Sequence, residues 1–146
     1  ATLNIYGYKI NEWNVTIDSM NSYFAANMAI LNKESRKELF NSDTPVYTKV
    51  RDDMPVVYGI ASNCKNSLIA DGCQIEGTVK NCVVFRGVNI ARGAVVENSI
   101  IMQDSVISEN VKLNCVIMDK DSVITPNKNL SGDKSYPLFV GKEIVI

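Results

Sequence analysis

No histidine occurs anywhere in the 146 residues. Near pH 7 an imidazole can take up a proton or offer an unprotonated nitrogen to a metal, so its absence removes the commonest general base and the commonest zinc ligand together. An excess of charge of either sign is lacking as well. Fifteen Lys and Arg stand against sixteen Asp and Glu, a formal net charge of −1, with the two signs interspersed. Without a basic stripe, nucleic acid and anionic membrane are poor partners. No apolar run approaches the roughly 20 residues that span a bilayer. The first residues also lack the basic, apolar, small-residue order of a signal peptide, and the expected location is cytoplasmic. There is no C-x-x-C pair, no G-x-S-x-G, no phosphate-cradling glycine loop and no metal-spaced set of carboxylates. What remains, 46% apolar and 21% charged residues, is the balance of a globular protein.

Against these absences stands a repeat. Asn66-Ser67-Leu68-Ile69, Asn81-Cys82-Val83-Val84, Asn98-Ser99-Ile100-Ile101 and Asn114-Cys115-Val116-Ile117 say nearly the same thing four times, at intervals of 15, 17 and 16 residues. Inside each unit runs a beat of six: Ile69 to Ile75, Val84 to Ile90 to Val96, Ile101 to Ile107 to Leu113. The last unit slips by one, from Ile117 to Ile124, as though Lys120 were inserted. Two residues before most of these aliphatics stands something small: Ser67, Cys73, Cys82, Ala94, Ser99, Ser105, Cys115 and Ser122. Cys82 and Cys115 thus share a slot with Ser67 and Ser99, which makes the cysteines small core fillers instead of metal or redox groups.

Neither a helix nor a hairpin explains a period of six. A prism of short parallel strands does, because one strand and one corner consume about six residues and three of them close a coil. The inward residue must be aliphatic, since stacked coils bury a continuous column. The residue two before it must be small, since the chain turns there against its neighbouring coil. Gly72, Gly77, Gly87, Gly93 and the asparagines suit turns that need positive φ. The predicted fold is mainly β: a left-handed parallel β-helix, or hexapeptide-repeat solenoid, over residues 59–146. Left-handedness is an exception to the usual right-handed crossover.

Before the repeat, residues 1–15 mix β-formers with turn residues and predict one or two strands. An amphipathic helix follows, with Thr16 as N-cap and Ile17, Met20, Phe24, Met28 and Leu31 on one side, packed against the solenoid. Residues 32–40 form a charged surface stretch, read as a short helix. Residues 41–58, with Pro45 and Pro55, read as an extended linker.

Segment by segment, the chain resembles the bacterial and plant glucose-1-phosphate adenylyltransferases (ADP-glucose pyrophosphorylases). "GYKINEWNVTIDSMNSYFAANMAIL" (7–31) is similar to that family's GYW-x-DVGT helix segment, and "PVYTKVRDDMPVVY" (45–58) to its P-I-Y-T-x-x-R linker. Residues 67–102 follow its β-helix, and "IMDKDSVI" (117–124) and "VGKEIVI" (140–146) its closing motifs. The resemblance covers only the C-terminal part of the family's polypeptide. It implies that residues 1–40 are the tail of a nucleotidyltransferase domain, with the Gly-rich nucleotide loop lying outside this chain. One departure stands out: the Asp that precedes Val-Gly-Thr and helps hold the metal in active members is Trp13 here, with Glu12 beside it. An indole offers no oxygen to a hard cation. The chain is therefore most similar to the non-catalytic, regulatory subunit type found in some Gram-positive bacteria.

What the resemblance implies about function is correspondingly limited. The complete enzyme would join ATP and glucose 1-phosphate to give ADP-glucose and pyrophosphate in the glycogen pathway, with Mg²⁺. This chain would hold no cofactor of its own and would serve oligomerisation and allosteric regulation. Its partners would be the catalytic subunit, another copy through the β-helix, or both. A phosphorylated effector would be held by basic residues. The matching motifs carry over Asp119, Lys120 and Lys142 as effector-binding candidates, with no catalytic residue and no metal ligand. Arg51, in the linker, has no pattern beyond its charge. Two alternatives remain: the same domain of another sugar-phosphate nucleotidyltransferase, and a stand-alone β-helical scaffold. The first prediction follows from the missing imidazole and nucleotide loop. The purified chain, assayed by product chromatography, should form no ADP-glucose from ATP and glucose 1-phosphate and should transfer no acetyl group from acetyl-CoA.

Overall fold

The structure, a computed structural model, describes residues 3–10 and 13–146. Its centre is a parallel β-solenoid of three five-stranded sheets. Strands numbered in chain order return to the same sheet once per coil. The first sheet holds β1 (Val57–Tyr58), β4 (Gln74–Ile75), β7 (Asn89–Ile90), β10 (Val106–Ile107) and β13 (Val123–Ile124). The second holds β2 (Asn63–Lys65), β5 (Thr78–Lys80), β8 (Val95–Glu97), β11 (Lys112–Asn114) and β14 (Asn129–Ser131). The third holds β3 (Leu68–Ile69), β6 (Val83–Val84), β9 (Ile100–Ile101), β12 (Val116–Met118) and β15 (Leu138–Val140).

The aliphatic beat is the inward column of this prism. Ile101 lies against Val84 and Ile107 against Ile90 in adjacent strands, and all four are buried. The small residues sit where the chain bends. Ser105 Oγ donates to the carbonyl of Asp119 at 3.0 Å, and Ser122 Oγ to that of Gly141 at 2.7 Å, each reaching the following coil. Cys82 occupies the same kind of place, its Sγ 3.0 Å from the Lys80 carbonyl and 3.4 Å from that of Val96. A corner that is buried and polar must satisfy its own carbonyls, and these short side chains do so.

Three expectations need correction here. The slip in the last unit is not at Lys120. Met118, not Ile117, joins the inward column and lies against Ile101, while Ile117 faces outward against Ile100. From Met118 to Ile124 the beat of six is intact. The register moves earlier, at Asn114 and Cys115, where Cys115 takes a left-handed φ of 52° like Asn66, Asn81 and Asn98. Cys115 is therefore not the counterpart of Ser99; Val116 is. Gly77, for its part, is not among the positive-φ residues. It is glycine for space, because a Cβ there would lie 2.5 Å from the Ala94 carbonyl oxygen. At Gly87 the reason is the backbone, whose φ of 71° lies in the left-handed region.

Among the described residues no strand precedes β1, so the strands expected within residues 1–15 are not found; two prolines and a run without periodic burial follow as far as 56. Glu12 lies outside the described residues. Two helices are present, α1 (Met20–Ala29) and α2 (Lys33–Leu39). The cap of α1 is Ser19, not Thr16. Ser19 and Ser22 form a reciprocal capping box, with Ser22 N donating to Ser19 Oγ at 3.1 Å and Ser19 N to Ser22 Oγ at 2.9 Å. Phe24 is buried against Ile100, Cys115 and Ile117, with Met28 and Tyr23 beside it. The helix thus covers part of the third sheet's outer face, although Ile17 and Met20 of the expected stripe remain exposed.

Burying an unpaired carboxylate in the column should be costly. Ile101→Asp and Ile107→Asp are each expected to lower stability by several kcal/mol, about 3 or more on the scale of such core lesions. Thermal melts read by circular dichroism would check this, and unchanged melting of both variants would refute the register.

Candidate functional site

Asp119, Lys120 and Lys142 lie on two stacked turns at one corner of the solenoid. Asp119 N donates to the Val140 carbonyl at 2.9 Å, and Glu143 N to the Lys120 carbonyl at 3.0 Å, which ties the two turns together. Asp119 Oδ1 accepts from Lys120 N at 2.7 Å, so this carboxylate shapes its own turn. Lys120 is exposed. Lys142 Nζ pairs with Glu143 Oε1 at 2.9 Å, both side chains more than half exposed. Its pKa is raised, first by the Glu143 hydrogen bond and charge and then by Asp121 and Asp119. The fold brings the three candidates to one corner, but with Asp121 and Glu143 among them. Three carboxylates against two ammonium groups do not by themselves favour an anion.

Cations gather elsewhere. A cleft of about 560 Å³ is lined by Thr48, Lys49, Arg51, Ala70, Phe85, Arg86 and Gln103. Asp53 fixes it from within: its buried Oδ2 lies 3.4 Å from Arg51 Nε and 3.8 Å from Arg86 Nε, within ion-pair reach but without a hydrogen bond. Sequence reasoning set Arg51 aside because its partner, Arg86, lies a coil away. Only the fold, which places Phe85 and Arg86 just after β6 beside the linker, brings the two together.

A second hollow, of about 630 Å³, opens between the helices and the corner where β2, β5, β8 and β11 end. Phe24, Ala25, Met28 and Leu31 form its apolar wall, and Asn66, Asn81 and Asn98 its polar one. These amides form a ladder along the solenoid: Asn66 Nδ2 donates to Asn81 Oδ1 at 2.9 Å, Asn81 Nδ2 to Asn98 Oδ1 at 3.2 Å, and Asn98 Nδ2 to Asn114 Oδ1 at 2.9 Å. Their first duty is to close the left-handed corners on one another.

Among the described residues no group of three or more Cys, Asp or Glu could hold a metal ion, and Trp13 brings an indole where an oxygen would be needed. The described residues therefore do not fit the Mg²⁺ implied for the complete enzyme. No described helix is long and apolar enough to cross a membrane. The cysteines are all free, with Cys64 exposed and Cys73, Cys82 and Cys115 buried.

Residues 56–136 match the family described as GlmU-like, C-terminal hexapeptide. The glycogen biosynthesis protein GlgD of Bacillus subtilis (strain 168) is 37% identical over 145 residues, 99% of this chain and 42% of that protein. GlgD of Geobacillus stearothermophilus is 44% identical over 120 residues, 82% of this chain and 35% of that protein. Glucose-1-phosphate adenylyltransferase of Acetivibrio thermocellus is 28% identical over 134 residues, 92% of this chain and 32% of that protein. The chain thus spans less than half the length of the relatives it matches.

The buried thiols give a pH signature. Burial pushes Cys82 up to about 12, offset in part by its hydrogen bonding with the backbone at Ser99 and Lys80. An acid whose folded pKa is raised stabilises the fold below its unfolded pKa, 9.0 here, and loses that contribution as pH climbs through the folded value. Between pH 9 and 12 the parent should therefore lose about 1.4 kcal/mol per pH unit more than Cys82→Ala does. Urea unfolding at stepped alkaline pH measures the difference in slope, and equal slopes would mean that Cys82 ionises freely in the native state.

Proposed function

Because the chain belongs to the GlmU-like C-terminal hexapeptide family, we propose that it is the C-terminal β-solenoid domain of a glucose-1-phosphate adenylyltransferase subunit, of the non-catalytic, regulatory kind, acting in cytoplasmic glycogen biosynthesis. One observation carries this reading. The 145-residue similarity to the Bacillus subtilis GlgD protein runs through the helical segment and the linker as well as the solenoid, whereas a generic hexapeptide match would be confined to the coils. Trp13, where an active subunit needs a carboxylate, supports the regulatory assignment.

In this proposal the complete enzyme makes ADP-glucose and pyrophosphate, and this domain contributes assembly and control. A parallel solenoid needs cover for its end coils and apolar faces, which favours association with a neighbouring subunit. A phosphorylated effector would meet Lys120 and Lys142 on their stacked turns, with Asp119 holding the Lys120 backbone in place. Since Asp119, Asp121 and Glu143 surround these lysines, further cations from the rest of the enzyme would be needed to outweigh them.

The test is an effector titration of reconstituted enzyme carrying Lys120→Ala or Lys142→Ala in this subunit. Each substitution removes a charge-assisted hydrogen bond and should weaken activation about ten- to a hundredfold, with basal turnover nearly unchanged. Activation curves that superimpose on the parent's would leave both lysines as solvated surface groups.

A further inference from the structure

The third sheet differs from the other two on its outward side. The outward residues of the second sheet include Lys65, Lys80, Glu97 and Lys112, and those of the first are Val57, Gln74, Asn89, Val106 and Val123, two amides among three valines. Across the third sheet the corresponding row is Leu68, Val83, Ile100 and Ile117. A row this apolar demands cover. Phe24 of α1 covers Ile100 and Ile117 on the rungs of β9 and β12. Leu68 and Val83, on the rungs of β3 and β6, are not reached by α1 and are half-buried, with Ala70 and Phe85 beside them.

That uncovered strip is the floor of a continuous trough. At one end it shares Leu68 with a hollow lined by Lys33 and Arg36 of α2. At the other it shares Ala70 and Phe85 with the cleft of Lys49, Arg51 and Arg86. No acidic residue lines any part of it, and five cations do. When Asp53 and the charged chain neighbours of the lining residues are counted as well (Glu34, Lys37, Asp52, Lys65, Asp71 and Asp104), cations exceed carboxylates by seven to five. The two cationic ends flank β3, and the chain from position 66 to position 71 can span at most about 17 Å. No single phosphate spans that distance. Two rungs are about 10 Å wide, the width of one packed helix.

We propose that this trough is a docking surface for an acidic amphipathic helix of a partner protein. The helix would be about 11 residues long at 1.5 Å per residue, with an apolar stripe on Leu68, Val83 and Phe85 and carboxylates in both terminal turns. The charge pattern selects the occupant. Apolar contact on the strip supplies affinity, while the two cationic ends fix orientation and exclude basic helices. The inference goes beyond the proposed function and does not depend on which effector acts.

The probe is a stapled helical peptide of about 14 residues with leucines at i, i+4, i+7 and i+11 and glutamates in both end turns, together with a twin carrying lysines for the glutamates. Fluorescence anisotropy with the 146-residue chain should show salt-sensitive binding of the acidic peptide and none of its twin. Arg36→Gln and Arg86→Gln should each weaken binding about two- to fivefold, the range for solvent-exposed pairs. Leu68→Glu should abolish it, with Leu68→Ala as a gentler variant should the glutamate disturb folding. Equal affinity for both peptides, no binding of either, or indifference to these substitutions would overturn the proposal. So would displacement by pyrophosphate with Leu68→Ala behaving as parent, which would make the cleft a small-anion site. Sedimentation equilibrium showing self-association that Leu68→Glu abolishes would instead make the face an interface between copies.

Discussion

Each coil must deliver one aliphatic side chain per side to the same depth, because the three sheets share a single interior no wider than those side chains. Ile75, Val79 and Val84 do this in one coil, Ile90, Val96 and Ile101 in the next, and Ile107, Leu113 and Met118 in the one after. The column is apolar and continuous, so a coil that delivers its residue at the wrong depth opens a void for two neighbours at once. Everything else in the molecule accommodates this requirement. Most connections between strands are two or four residues long, left-handed backbone is taken up by asparagine, aspartate and glycine together with Cys115 and Glu143, and small hydroxyl or thiol side chains cap the bent carbonyls.

The outer surface inherits its character from the same geometry. Residues alternate inward and outward, so one sheet could become apolar on its outside without disturbing the column. That sheet is the one α1 packs against, and the side chains flanking the helix bring cations from α2, from the linker and from the Phe85 corner to its uncovered end. The regulatory candidates Asp119, Lys120 and Lys142 sit at the opposite, C-terminal end of the prism, on turns held to one another by backbone hydrogen bonds. Docking and effector sensing would thus occupy different ends of one rigid rod.

How much of this was legible in the sequence depended on how local the cause was. The six-residue beat, the inward isoleucines and the small corner residues are repeated within one coil, so composition at fixed spacing revealed them. The slip at Cys115 was misread because Asn114-Cys115 imitates Asn98-Ser99 in letters while its backbone follows a different count. Only the pairing of Ile117 with Ile100 and Met118 with Ile101 separates the two. Gly77 looked like a turn glycine because the neighbour that excludes a Cβ, Ala94, lies a full coil away. Ser19 took the cap from Thr16 through its exchange with Ser22, a pattern without the usual Glu or Gln at the third position. The Arg51–Asp53–Arg86 cluster was invisible for the same reason as Gly77: its members meet only after the coils stack.

The amide ladder and all the strand pairs but one join residues only 15 to 17 positions apart in the chain, as in Asn66 with Asn81 and Asn81 with Asn98; β12 and β15 pair across 22. Such closures cost little loop entropy, and each coil needs only its neighbour to form. The contact of Phe24 with Ile117 is of another kind, bridging more than 90 residues. Assembly of the rod can therefore spread outward from any pair of adjacent turns, like a zipper, with the helix closing over a surface already made. Detachment of α1 would bare Ile100 and Ile117 and lengthen the apolar strip by two rungs while the rod beneath it held its shape.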